Sequence, residues 1–120
     1  MKVRVYHLSW EWACGDAYHF DWHKPYSEVE LAAVANKLFS TVGAYHLVAM
    51  VEADSLEDVF RLTNTIHHPW WENEGVTCYS RTRSTSVGDL YLLEDGTVYL
   101  VLRCGLLDID NATEDEEEAA

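Results

Sequence analysis

Residues 45–52, YHLVAMVE, carry apolar side chains on both of the alternating sets that a β-strand presents to its two faces. A strand with one polar and one apolar set can lie at the surface, whereas a strand that is apolar on both sets needs cover on two sides. The segment therefore predicts a central strand that is buried on both faces.

A first amphipathic helix is predicted after Pro25. Ser27 and Glu30 have the spacing of a capping box, in which a hydroxyl and a carboxylate bind amides that a helix start leaves unpaired. Apolar residues then recur at helical spacing up to Gly43. These signals predict a helix over about residues 28–41.

A second amphipathic helix is predicted after Ser55, which is a suitable N-cap. One apolar stripe follows, and Pro69 is expected to end the helix because proline has no amide hydrogen to donate. The predicted helix covers about residues 56–67. His67 and His68 then lie at its C-terminus, where a protonated imidazole suits the negative end of the helix dipole.

Further strands are predicted before and after the helices. Residues 2–8 alternate apolar and polar side chains, and strand-like residues recur at 76–81 and at 87–103. Within the last segment, Asp95 and Gly96 separate two strand-like runs. This is a strong hairpin signal, because glycine accepts the positive φ that tight hairpin turns require.

Residues 9–23, which we name the aromatic hairpin, alternate aromatic side chains on both sides of Cys14-Gly15-Asp16. Alternation with a period of two on both sides of a turn indicates two strands that share one aromatic face. The rings of this face are those of Trp10, Trp12, Tyr18, Phe20 and Trp22. A small hairpin cannot cover so many rings, so we expect this face to pack on the first helix or on a partner.

The order of predicted elements is β, aromatic hairpin, α, β, α, loop and three short strands. We therefore predict a single α+β domain over residues 1–110. Its small antiparallel or mixed sheet is expected to carry two helices packed on one face, with the aromatic hairpin in addition. Residues 111–120 are expected to form an acidic C-terminal tail.

The chain has 21 acidic and 8 basic residues, for a net charge of −13. Direct binding of nucleic acid is not expected, because phosphate contacts need clustered lysine and arginine. The tail contains Glu114, Asp115, Glu116, Glu117 and Glu118. Such a tail is either a solvated end that aids solubility, a surface for a basic nucleic-acid-binding protein, or part of an adaptation to a salty cytoplasm.

Cysteine usage and hydropathy bear on the compartment. Cys14, Cys78 and Cys104 are odd in number and far apart, which argues against a disulfide framework and for reduced thiols. No segment approaches the roughly 18 apolar residues of a membrane span. We therefore expect a soluble cytoplasmic protein without a membrane partner.

Catalytic and metal-binding motifs are weak. The sequence has no glycine-rich phosphate loop, no nucleophile elbow and no HExxH pattern. Cys14, His19 and His23 are of the right type for zinc, but the two histidines would lie roughly 13 Å apart along a strand, too far to share an ion. We expect no catalytic residue, no bound metal and no cofactor.

The segment HHPWWENEG, residues 67–75, leads from the second helix to the next strands. In an extended chain Trp70 and Trp71 point in opposite directions, so one ring is expected to fill the core and the other to lie nearer the surface. Glu72 and Asn73 are expected to bind loop amides. The segment thus predicts a structural role first, and the outer ring is a candidate contact for a partner.

Arg81 and Arg83, with the hydroxyls of Ser84 and Ser86, form the one local concentration of cations in this acidic chain. Guanidinium groups and hydroxyls suit phosphate, and a nearby tryptophan can stack a base, so the segment is a candidate nucleotide site. In the alternative interpretation, the arginines neutralise acidic neighbours while residues 87–89 turn into the next strand.

Several segments together resemble small proteins carried by phages and plasmids, those with YodL-like domains. The resemblance covers about residues 45–107 and depends on SLEDVFRLTN at 55–64, HPWWEN at 68–73, RSTSVGD at 83–89 and GTVY at 96–99. It implies a product of a mobile element and supplies no catalytic residue. The aromatic hairpin, the first helix and the tail lie outside it.

These observations favour a non-enzymatic acidic protein that inhibits a host nucleic-acid-binding defence complex, of the CRISPR or restriction type, by occupying its basic surface. The expected interface is formed by Trp10, Trp12, Trp22, Trp70, Trp71, Glu72, Asn73, Glu114, Asp115, Glu116, Glu117 and Glu118. The alternative is a binding module, or sponge, for a small nucleotide signal, with Arg81, Arg83, Ser84 and Ser86 as its site.

Overall fold

A computed structural model describes residues 1–9, 26–103 and 105–111 of the chain. In these ranges six strands form one antiparallel sheet with the order β3-β2-β1-β4-β5-β6. The strands are β1 (Lys2–Leu8), β2 (Tyr45–Glu52), β3 (Val76–Cys78), β4 (Leu90–Leu93), β5 (Val98–Leu102) and β6 (Gly105–Asp108). The predicted α+β class is confirmed, whereas the aromatic hairpin from residue 10 onward lies outside the described residues.

The described helices are α1 (Glu28–Phe39), α2 (Leu56–Thr63) and a short 3-10 helix, Trp70–Glu72. α1 begins with the predicted capping box, because the amide of Glu30 donates to the hydroxyl of Ser27 at 3.1 Å. In return, the amide of Ser27 donates to the carboxylate of Glu30 at 2.9 Å. The start of α1 is therefore specified by hydrogen bonds between residues that are close in the sequence.

The two helices pack on opposite faces of the sheet, not on the one face expected from the sequence. Leu90 and Tyr91 are consecutive in β4 and both fully buried, Leu90 in a cluster with Leu31 of α1 and Tyr91 in a cluster with Val59 of α2. Successive strand residues point to opposite faces, so each face carries one helix. β4 and β5 are apolar on both sets, and each set needs its own cover.

α2 ends at Thr63, about one turn earlier than its apolar stripe predicts. The Thr63 hydroxyl donates to the carbonyl of Val59 at 2.8 Å. Asn64 then leaves the helical conformation, and its side-chain amide donates to the carbonyl of Thr85 at 2.6 Å. A hydrogen bond to a distant segment thus replaces a further turn of helix.

The role expected for Pro69 is wrong as a consequence. Pro69 does not end α2 but directly precedes the 3-10 helix, a position where its missing amide hydrogen is not needed. His67 and His68 are exposed in the loop between the helices, so neither lies at a helix C-terminus.

The hairpin predicted at Asp95 and Gly96 is confirmed and joins β4 to β5. The amide of Gly96 donates to the carbonyl of Leu93 at 3.0 Å, and the amide of Leu93 donates to the carbonyl of Thr97 at 2.9 Å. Gly96 has a φ of +93°, which is the conformation that closes this type of turn.

Candidate functional site

The antiparallel order gathers acidic side chains from distant segments at one end of the sheet, which we name the acidic end. β1, β3 and β5 begin at this end, and β2, β4 and β6 finish there. The acidic residues on or beside these strand ends are Glu52, Asp54, Glu74, Glu94, Asp95, Asp108 and Asp110. Most of their side chains are exposed. Asp58 of α2 lines a cavity at this end, whereas Glu57 lines a cavity with Arg103 at the opposite end.

An open cavity of about 420 Å³ lies at the acidic end. Its carboxylates are those of Glu52, Asp54, Asp58 and Glu74. Arg61 contacts the Asp58 carboxylate at 3.3 Å in an exposed ion pair, and the Met1 amino group donates to the carbonyl of Ala53 at 2.9 Å. The exposed ion pair between Arg61 and Asp58 is weak, so the cavity can accept a lysine or arginine side chain from another molecule.

The opposite end of the sheet, which we name the arginine end, carries Arg81, Arg83 and Arg103. Arg103 follows β5, and the other two lie between β3 and β4. Asp89, the residue before β4, is fully buried there and adds no exposed negative charge. At the acidic end the acidic residues outnumber basic residues such as Lys2 and Arg61, and at the arginine end Asp89 balances Arg83 but not Arg81 and Arg103, so the charge of the described residues is unequal along the strands.

Trp70 and Trp71 confirm the prediction of one buried and one outer ring. Trp70 is 2 % exposed, and its indole N–H donates to the carbonyl of Thr82 at 2.9 Å. Trp71 is half-buried, and the guanidinium of Arg81 lies 5.7 Å from the centroid of its ring. The chain here is a 3-10 helix and not extended, so the two rings contact edge to face with centroids 5.7 Å apart.

Asn73 and Glu72 differ from the expectation that both bind loop amides. The side-chain amide of Asn73 donates to the carbonyl of Leu62 at 2.8 Å, and its oxygen lies 2.6 Å from Nε2 of His68. Asn73 therefore binds the last turn of α2 to the loop. Glu72 is exposed.

Arg83 forms a two-pronged ion pair with the buried carboxylate of Asp89. Nη1 and Nη2 of Arg83 lie 2.7 Å from Oδ2 and Oδ1 of Asp89, respectively. The same two nitrogens also donate to the carbonyls of Ser84 at 3.0 Å and Leu8 at 2.9 Å. Each Nη hydrogen thus has an acceptor within the protein, and this fork cannot also grip a phosphate.

Asp89 in turn accepts backbone amides from two further places. The amide of Leu8 donates to Oδ1 at 2.8 Å, and the amide of Ser86 donates to Oδ2 at 2.7 Å. The pKa of Arg83 is raised above its usual value, chiefly by the hydrogen bonds to Asp89. This pair is built to hold β1 against the segment before β4.

His7 lies beside the ion pair and is 3 % exposed. Its Nε2 is 3.0 Å from Oγ1 of Thr85 and 3.8 Å from Oδ2 of Asp89. Burial lowers the pKa of His7 to about 4, against the opposing effect of the Asp89 charge. The imidazole is therefore neutral at pH 7. His7 shares an alternating set with Val3 and Val5, the signal in the sequence that points to its burial.

The residues of the candidate nucleotide site do not converge. Arg81 lies over Trp71, and Arg83 is directed to Asp89. Ser84 and Ser86 line a cavity of about 400 Å³ together with Arg103, and Arg83 lines a different cavity. In the alternative interpretation the arginines neutralise acidic neighbours, and the contacts of Arg83 agree with it.

The remaining candidate residues lie outside the described part of the chain. For the interface these are Trp10, Trp12, Trp22, Glu114, Asp115, Glu116, Glu117 and Glu118. The zinc candidates Cys14, His19 and His23 lie outside it as well. Within residues 1–9, 26–103 and 105–111, no group of three or more histidine, cysteine or acidic side chains could hold a metal ion.

Comparisons with known proteins gave no significant match. No family model matches the chain, and no curated protein or solved structure is significantly similar to it. Over the described residues, no helix is long and apolar enough to cross a membrane. The resemblance to YodL-like proteins stays a prediction.

Proposed function

We propose that this protein is a non-enzymatic inhibitor that binds, through its acidic end, the basic nucleic-acid-binding surface of another protein. The observation that carries the proposal is the gathering of exposed carboxylates from distant segments around one open cavity. The complementary groups are the lysine and arginine side chains that nucleic-acid-binding proteins use for phosphates.

The proposed mechanism is competition with DNA or RNA for that surface. Carboxylates of the acidic end take the positions of phosphate groups, so the bound partner can no longer hold its nucleic acid. The charge polarity orients the protein during approach, because the acidic end is attracted and the arginine end is repelled. Association is then fast and is weakened by salt.

The C-terminal tail contributes to the proposal through its charge. β6 finishes at the acidic end, and Asn111, three residues beyond that strand, is the last described residue. The five carboxylates of residues 114–118 follow in the sequence and add to the negative charge that attracts a basic surface.

The identity of the partner class is supported by the sequence resemblance. Small proteins encoded by phages and plasmids benefit from disabling host enzymes that recognise foreign nucleic acid. We therefore assign the partner to a host defence complex, such as a CRISPR or restriction effector, in the host cytoplasm. Its basic nucleic-acid-binding surface is the proposed target.

The test is retention of host proteins on the immobilised protein, followed by elution with duplex DNA. The proposal expects retained proteins that themselves bind nucleic acid and that DNA displaces. Retention of proteins that DNA does not displace, or no retention from hosts of related phages and plasmids, would contradict it.

A matched pair of variants separates the acidic end from total charge. Glu52→Gln with Glu74→Gln removes two charges beside the cavity, whereas Glu28→Gln with Glu57→Gln removes two exposed charges that do not line it. We expect the first pair to release the retained proteins at lower salt and the second to behave like the parent. Equal effects would show that only the net charge matters.

A further inference from the structure

β6 lies at one edge of the sheet and pairs with β5 alone. The amide of Ile109, directly after the strand, donates to the carbonyl of Val98 at 3.1 Å. Backbone groups of successive strand residues point alternately to the two sides of the strand, so Leu107 also faces β5. The amides of Leu106 and Asp108 therefore point away from the sheet. Neither amide has an acceptor among the described residues, so this edge can pair with a further strand.

An apolar groove of about 490 Å³ opens beside this edge. Leu106 lines the groove from β6, and Leu56 and Phe60 line it from α2. Phe60 is 38 % exposed, and the two leucines are half-buried. Apolar side chains that are open to solvent beside an unpaired strand edge form a surface suited to contact with another protein.

The two ends of β6 carry opposite charges. Arg103, just before the strand, is exposed and makes no ion pair with a described residue. Asp108 and Asp110 lie at the other end of the strand, which belongs to the acidic end. In an antiparallel pair of identical strands, each end of one strand lies beside the opposite end of the other. Such a pair would bring Arg103 of each copy close to the two carboxylates of the other.

This complementarity indicates a second copy of the chain as the partner at this edge. The net charge of −13 on each copy opposes association, and a parallel arrangement would add to the repulsion by bringing like charges together. The antiparallel arrangement replaces that repulsion with attraction at both ends of β6. A two-fold axis perpendicular to the sheet also places Leu106 of both copies on the same face, where the two grooves open.

We propose that two copies of this chain associate by antiparallel pairing of β6 with β6, which joins their sheets into one. The outward amides of Leu106 and Asp108 donate to backbone carbonyls of the other copy. This interface is independent of the proposed inhibitor function, because the cavity at the acidic end is lined by Glu52 and Glu74, beside β2 and β3 at the other edge of the sheet. That cavity stays open in each copy of the dimer.

The first test removes one outward amide from either edge of the sheet. Leu106→Pro deletes a donor of β6 that does not face β5, and proline is tolerated at such edge positions. Cys78→Pro is the matched control in β3, because the amide of Tyr79 donates to the carbonyl of Val48 in β2, so that of Cys78 points outward. Sedimentation equilibrium of the full chain under reducing conditions measures the dissociation constant of the dimer.

We expect the parent to form dimers, Leu106→Pro to raise the dissociation constant at least tenfold, and Cys78→Pro to leave it unchanged. Circular dichroism checks that both variants are folded. A parent that stays monomeric, equal constants for the parent and a folded Leu106→Pro, or an equal loss in both variants overturns the proposal.

The second test exchanges charges across the proposed interface and leaves the backbone donors in place. Arg103→Glu makes the net charge more negative and Asp110→Lys makes it less negative by the same amount, so the combined variant keeps the parent value of −13. Each single change should raise the dissociation constant at least threefold, and the combination should restore it to within twofold of the parent. If total charge alone governed association, Asp110→Lys would strengthen the dimer. That result, or no recovery in the combined variant, overturns the proposal.

Discussion

At the scale of single residues, Asp89 connects three parts of the chain. Its carboxylate accepts from the backbone of Leu8 in β1, from the side chain of Arg83 and from the backbone of Ser86. A buried carboxylate is tolerated only when such partners compensate its lost hydration. The motif RSTSVGD, one of the segments on which the predicted resemblance depends, therefore has a structural function in this protein.

Trp70 and Trp71 provide a stability prediction with an internal control. Trp70→Ala removes a ring that is 2 % exposed and a hydrogen bond to Thr82, and it should cost roughly 3 to 5 kcal/mol in the free energy of unfolding. Trp71→Ala removes a half-buried ring and should cost clearly less. Urea denaturation of both variants measures this, and equal losses would show that Trp70 does not fill the core as described.

His7 gives a prediction for the pH dependence of stability. Its folded pKa is about 4 and its ordinary value is 6.5. Between these values the unfolded chain binds a proton that the folded protein does not, so this contribution to stability falls as the pH drops from 6.5 towards 4. Over that window His7 accounts for about 3 kcal/mol. The free energy of unfolding of His7→Gln should therefore depend less on pH than that of the parent, and identical slopes would contradict the assignment.

Part of this residue-scale picture can be predicted from the sequence. The alternation in residues 2–8 places His7 on the same face as Val3 and Val5, so its burial follows. The partners of His7 cannot be predicted in this way, because Thr85 and Asp89 are far away in the chain. They reach His7 only through the pairing of β1 with β4.

At the scale of elements, the strands are better predicted than the placement of the helices. The bounds of β1 and β2 agree with the alternation at 2–8 and the apolar run at 45–52. Helical periodicity shows which side of a helix is apolar, but it does not show which face of a sheet that side covers. The run at 45–52 is not covered on both faces as predicted, because its buried residues Val48, Ala49 and Val51 pack in the cluster of α2 and Leu47 is exposed.

The C-terminal boundary of α2 is also not predicted by the sequence pattern alone. Its apolar stripe continues past Thr63, but the carbonyl of Thr63 accepts from the amide of Thr85 at 2.9 Å and the side chain of Asn64 donates to the carbonyl of Thr85, which takes the chain out of the helix. These bonds depend on the tertiary fold, which overrides local propensity.

Alanine substitutions at Gly75 and at Gly96 test the geometry of the two loops that contain them. Both have positive φ, at +89° and +93°, so alanine is strained at either position. A Cβ at Gly75 would also lie 2.8 Å from the carbonyl oxygen of Glu52, whereas a Cβ at Gly96 would meet nothing within 4 Å. Gly96→Ala should cost about 1 kcal/mol and Gly75→Ala clearly more. Thermal melting of both variants measures these costs. A larger loss of stability for Gly96→Ala than for Gly75→Ala would contradict the close approach of Gly75 to the carbonyl of Glu52.

At the scale of the whole molecule, charge polarity is the property that links structure to proposed function. The net charge is evident from the composition. The distribution of this charge is not evident from the composition, because the acidic residues at the acidic end come from segments spread over residues 52–110. They meet only through the strand order. The placement of Arg103 with Arg81 and Arg83 at the other end depends on the same order.

Removal of residues 112–120 tests the contribution of the tail. The deletion takes away five carboxylates and changes the net charge from −13 to −8. It leaves every described strand and helix in place, so the melting temperature should change little. Association with a basic partner should slow and become less sensitive to salt. If the tail serves solubility alone, association is unchanged and the shortened protein merely aggregates more readily.

The most direct test of the acidic end is the association rate constant with a partner protein recovered by retention and DNA elution. It would be measured at two salt concentrations for the parent, for Glu52→Gln with Glu74→Gln, and for Glu28→Gln with Glu57→Gln. Electrostatic steering acts mainly on association, so the variant at the acidic end should bind more slowly and show a weaker salt dependence than the control variant of equal charge. Equal rate constants for the two variants at both salt concentrations would contradict a binding surface at the acidic end.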